Sequence, residues 1–84
     1  MPLPEHAVSL TVEQIAELNG KLSAMRHDIN NHLSLIVAAV ELIRYKPETA
    51  ERMMATLAEQ PPRVSQALQK FSAQFEAAMG ITRP

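Results

Sequence analysis

Apolar residues recur along the first half of the chain as Ile15, Leu18, Leu22, Met25, Ile29, Ile36 and Ile43, in steps of three, four or seven residues. That spacing predicts one long amphipathic helix starting near Val12. With successive side chains about 100° apart and Ile29 at the centre of the buried face, Leu33, Ile36, Val40 and Ile43 fall within about 40° of it. Leu35, Val37 and Leu42 widen the apolar arc to more than half the circumference. His27, Asn31, Ser34, Ala38 and Glu41 fall on the opposite side. His27 is therefore expected to stand exposed on a rigid rod. Its neighbours along that stripe are small: Gly20, Ser23 and Ala24 before it, Ser34 and Ala38 after it. A partner has room to reach the imidazole.

The ends of this helix carry their own signals. Thr11 suits the N-cap, and Gln14 three residues later completes a capping box. Leu10 and Ile15 occupy the positions of a hydrophobic staple. Asn19-Gly20 has the composition of a turn, but the apolar phase runs through it and an interior Gly costs only about 1 kcal/mol, so the helix is expected to continue. It should end near Tyr45, because Pro47 disfavours helical geometry at Lys46. Arg44 and Lys46 suit the negative end of its dipole.

Pro47 fits the first turn of a second helix, with Glu48 and Glu51 suited to its start. So short a connection favours an antiparallel hairpin. The second helix reads Ala50, Met53, Leu57, Pro61, Val64, Leu68, Phe71, Phe75 and Ala78. Pro61-Pro62 interrupts it, yet the face stays in register on both sides, so one helix kinked at the prolines is expected rather than two. Gly80 suits the C-cap, with Ile81 folding back on the last turn. Residues 1–10, with Pro2 and Pro4 and no periodicity, read as an extended lead-in whose His6 is solvated. Residues 81–84 read as a tail.

The predicted class is thus all-α, a long antiparallel helical hairpin. One neighbouring helix cannot cover Leu35, Ile36, Val37, Val40 and Leu42 together, since a single partner needs an apolar stripe of only about 100°. Two hairpins forming a four-helix bundle, with the His27 stripes outside, satisfy the excess. The other solution is a cover supplied by the bent second half of helix two. Length favours the homodimer: at 84 residues with no cysteine, neither a large core nor disulfides or thiolate metal sites are available to stabilise a monomer.

Charge narrows the partners. The net charge is −1 and the Lys and Arg residues are scattered, which argues against a nucleic-acid binder. The longest apolar run, Leu35 to Val40, falls far short of the roughly 20 residues of a membrane span. No basic segment followed by an apolar core opens the chain, so a cytoplasmic protein without membrane contact is expected.

The candidate chemistry lies in Met25-Arg26-His27-Asp28-Ile29-Asn30-Asn31-His32-Leu33. An exposed imidazole with a free lone pair is a nucleophile, and an ordinary histidine, with pKa about 6.5, is mostly neutral at pH 7. An adjacent carboxylate is able to take the proton of the other ring nitrogen, although neighbouring helix positions point about 100° apart and spacing alone does not establish the contact. Asn31 lies one turn on, on the face of His27, with an amide that both donates and accepts. His32 falls about 60° from the apolar centre, at the edge of the bundle. His27 and His32 do not share a face, so a metal pair is not expected. Asn30 borders the bundle, and the methionines read as core filler.

His27-Asp28-Ile29-Asn30-Asn31-His32-Leu33 resembles the H-box of sensor histidine kinases: His, an acidic residue, two variable residues, Asn or Thr, often Pro, then Leu. The specific match covers Met25 to Leu33; the rest agrees in helix layout. His32 stands where many members carry Pro. The hairpin resembles the dimerisation and histidine-phosphotransfer domain of that family, a dimeric four-helix bundle. The resemblance implies His27 as phosphoacceptor, Asp28 as general base and Asn31 as the residue that orients water for dephosphorylating a partner. Ser23, Ala24, Ser34 and Ala38 would then line the surface that receives the partner. The family's ATP-binding domain, with its Asn-bearing motif and glycine-rich boxes, has no counterpart here; the chain has two glycines, Gly20 and Gly80. The Lys and Gly that follow the histidine in monomeric histidine-phosphotransfer proteins are also missing. The implied function is a stand-alone dimeric phosphotransfer domain exchanging a phosphoryl group with the aspartate of a response-regulator receiver. It would carry no cofactor of its own, with Mg²⁺ and ATP on the receiver and on a separate kinase catalytic domain. The alternative is a degenerate dimerisation module that binds such a partner without phosphotransfer.

Overall fold

The computed structural model describes residues 3, 4 and 6–80. Among them the chain forms two long helices joined by a single short turn: α1, Val12–Tyr45, and α2, Ala50–Met79, with a 3₁₀ turn over Pro47–Thr49 between them. No described residue lies in a strand.

α1 begins at the predicted capping box. The Gln14 amide donates to Thr11 Oγ1 at 3.1 Å, and the Thr11 amide donates back to Gln14 Oε1 at 2.8 Å. Two of the amide donors at the helix start are thereby satisfied. The helix passes through Asn19 and Gly20 without a break and stops at Tyr45, where the Lys46 amide closes onto the Leu42 carbonyl at 2.8 Å. Exposed pairs, Lys21 with Glu17 at 3.2 Å and Arg44 with Glu41 at 3.5 Å, decorate its surface and contribute a few tenths of a kcal/mol each, on the order of 0.3.

The second helix departs from expectation at its start. Pro47 opens the 3₁₀ turn, and the Thr49 amide and hydroxyl both donate to the Lys46 carbonyl, at 2.9 and 2.7 Å. The α-helix follows from Ala50. Pro61 and Pro62 then lie inside one continuous helix of 30 residues. Its end is as expected: Gly80 adopts the left-handed conformation at φ 68°, which a residue without a Cβ enters at least cost. Ile81, assigned above to pack back on the last turn, lies outside the described residues.

The helices run antiparallel. Leu10, Gln14 and Leu18 line a groove with Gln74, Ala77 and Ala78, while Met25 lies by Phe71 further along and His32 reaches Gln60. Phe71 and Phe75 stack at 6.1 Å between ring centres, tilted by 41°. The seam is the predicted one on α1, with Leu18, Leu22, Met25, Ile29, Ile36 and Ile43 half-buried; Ile15 is mostly exposed. On α2 the seam follows the expected face at Ala50, Met53, Leu57, Val64, Phe71 and Phe75, all half-buried, and departs from it at three positions. Gln60 is buried where Pro61 was assigned, and Pro61, Leu68 and Ala78 are exposed.

Very little is sealed off by this arrangement. The Cα atoms extend 57 × 29 × 12 Å, so the hairpin is one helix thick. Among the described residues Ala39, 3% exposed, is the one hydrophobic residue the hairpin buries; a methyl side chain fits where two helices approach closely. Leu33, Leu35, Val37 and Val40 remain exposed, Val37 at 60%. Because α2 continues through its prolines, its second half does not fold over this surface. The helix-two cover is thereby removed as the way to shield the apolar arc.

Candidate functional site

The periodicity that buries Ile29 turns His27 outward, and its side chain is 85% exposed. Its Nδ1 lies on the side of Asp28, 4.0 Å from Oδ1. That is an ion-pair distance and too long for a hydrogen bond. The carboxylate and the imidazole sit on adjacent positions of a continuous helix, so closure requires only side-chain rotation. With Nδ1 on the Asp28 side, Nε2 is the ring nitrogen left to a partner.

Asn31 is exposed one turn further along, and Ser23, Ala24, Ser34 and Ala38 are exposed as well. The helix thus carries the whole predicted stripe to one accessible surface, with no side chain longer than Asn31 beside His27 among these residues. Asp28 lies on its flank. There a groove of about 120 Å³ opens between α1 and α2, lined in part by Lys21, Asp28, Lys70, Phe71 and Gln74. Ala24 contributes to this wall too. The groove therefore joins the His27 surface to the second helix, and two lysines stand beside the one carboxylate.

Asn30 is exposed, at the border of the seam rather than within it. His32 is half-buried, as its position near the seam requires, but packing is only part of its role. Its Nδ1 lies 2.8 Å from Gln60 Oε1 on α2. Gln60 in turn donates from Nε2 to the Thr56 carbonyl at 2.9 Å. This amide orientation leaves Oε1 toward the ring, so Nδ1 of His32 is the donor. Sequence periodicity misses Gln60, because a glutamine followed by two prolines reads as an exposed breaker, and its partner is 28 positions away.

Among the described residues no three His, Asp or Glu side chains come together as a metal site. Among the described residues no helix is long and apolar enough to cross a membrane. Comparison with protein-family models, curated proteins and solved structures finds no match to this chain.

Proposed function

We propose that this chain is a dimeric histidine phosphotransfer domain of a two-component system, in which His27 exchanges a phosphoryl group with the aspartate of a response-regulator receiver. The observation that carries the reading is the outward His27 imidazole within an H-box-like sequence, with Asn31 on the same surface. In the forward step the Nε2 lone pair of neutral His27 attacks phosphorus. The N–P bond forms as the bond from phosphorus to the receiver's aspartyl oxygen breaks, and that carboxylate leaves with the electron pair. The imidazole becomes cationic, and Asp28, once rotated onto Nδ1–H, stabilises the charge or takes the proton. The receiver brings its own Mg²⁺; a separate kinase catalytic domain with ATP is the other source of the phosphoryl group. In a separate hydrolysis Asn31 orients a water that attacks the phosphorus of the receiver's phospho-aspartate, and inorganic phosphate leaves as the carboxylate is restored.

The uncovered arc supports the dimer. A second hairpin laid on Leu33, Val37 and Val40 buries them and leaves His27 outside, giving a four-helix bundle. A cytoplasmic location accords with such partners. Incubation with a phosphorylated receiver domain tests the reading: labelled phosphate, labile to acid, transfers to the wild-type chain and not to His27→Ala. Receiver binding without transfer, unchanged in His27→Ala, would instead identify a degenerate binding module.

A further inference from the structure

The position where α2 is weakest as a helix is also where it is most firmly tied to α1. Pro61 and Pro62 each lack an N–H, so the carbonyls of Leu57 and Ala58, four residues back, lose their helical donors. Each proline ring also disfavours helical geometry in the residue before it, which places that penalty on Gln60 and on Pro61. Yet α2 passes through this step unbroken.

Gln60 is 3% exposed and uses both ends of its amide. Nε2 donates to the Thr56 carbonyl within α2, and Oε1 accepts from His32 across the seam. The surrounding contacts of Leu57, Val64, Ile29 and Ile36 are apolar and half-buried, so they tolerate sliding. A hydrogen bond at 2.8 Å does not.

We propose that the Pro61–Pro62 step is a hinge in α2 and that the Gln60–His32 bond is the latch holding its two halves in line against α1. Opening the latch lets the segment after the prolines swing. Lys70 and Phe71, which line the groove beside Asp28, lie on that segment. The latch thereby sets the width of the groove next to His27, with His32 as a positioning residue. The inference requires no phosphotransfer at His27 and is tested without it.

The test is amide hydrogen exchange, residue by residue, on the full chain. Gln60→Met keeps the length of the side chain and removes the bond. It should speed exchange at Leu57–Gln60 and Arg63–Gln66 roughly tenfold, the effect of losing one buried hydrogen bond, and leave Ile36–Ile43, on the far side of the His32–Gln60 bond from the groove, unchanged. In a Pro61→Ala/Pro62→Ala background, where the helical donors are restored, Gln60→Met should have little local effect. An equal increase along both helices, an equal increase in the alanine background, or no increase would each overturn the hinge. If Gln60→Met does not fold, relaxation dispersion on the wild-type chain decides the matter. Microsecond-to-millisecond exchange should flank the prolines and disappear in Pro61→Ala/Pro62→Ala; its absence from the wild type would overturn the proposal.

Discussion

His27 and Asp28 stand side by side on α1 with Nδ1 and Oδ1 4.0 Å apart and both side chains mostly exposed. At that separation the carboxylate is in reach of the ring without being bonded to it, a geometry that tightens when a partner excludes water. Asp28→Asn removes the base and keeps the shape. The rate of phosphoryl transfer to His27 should fall on the order of 10²-fold, with helical content unchanged. Rapid-quench measurement of labelled transfer gives the rate; an unaltered rate would remove Asp28 from the chemistry.

On the proposed reading Asn31 serves hydrolysis of the receiver's phospho-aspartate rather than transfer to His27. Its amide is exposed on the stripe of His27, one helical turn away. Asn31→Ala should lower dephosphorylation of the receiver on the order of 10²-fold, the cost of a mispositioned nucleophile, and leave transfer to His27 largely intact. Equal loss of both reactions would count against the role.

Val37 reports on the dimer. At 60% exposure on a hairpin one helix thick, it belongs to the arc that a second copy would cover. Val37→Glu puts a charge into that seam at a cost of several kcal/mol, on the order of 3 or more, and should shift sedimentation from dimer to monomer. A wild-type chain that sediments as a monomer at micromolar concentration would contradict the four-helix bundle.

The helix ends make a stability prediction independent of function. Thr11→Ala removes the reciprocal cap and should cost about 1 kcal/mol. Gly80→Ala should cost about 1 kcal/mol, because φ is +68° there. Gly20→Ala should gain about 1 kcal/mol: a Cβ there meets nothing within 4 Å, so only the backbone entropy changes. Urea denaturation at fixed protein concentration measures all three, and a destabilising Gly20→Ala would reveal a contact on the His27 stripe.

The elements most legible in the sequence were those set by local chemistry. Thr11 and Gln14 bond within one turn, Pro47 acts on its neighbour, and Gly80 owes its conformation to its own missing side chain. His27's exposure was legible for a similar reason, since 100° per residue places it opposite Ile29. On α2 the burial of Gln60 was not. Apolar periodicity cannot register that a glutamine enters the seam to bond a histidine on the other helix. That one helix passes through Pro61 and Pro62 is legible in the apolar face, which stays in register on both sides of them. The 4.0 Å gap between His27 and Asp28 depends on rotamers and lay beyond pattern reading.

The most direct test of the account is a proton–phosphorus correlation spectrum of the phosphorylated chain, held at alkaline pH to preserve an N–P bond. The account predicts one phosphorus resonance coupled to the ring protons of His27, with the pattern of an Nε2-phosphoimidazole. Phosphorus on the ring of His6 or His32, on a serine or threonine oxygen, or on no residue after exposure to a phosphorylated cognate receiver would contradict it.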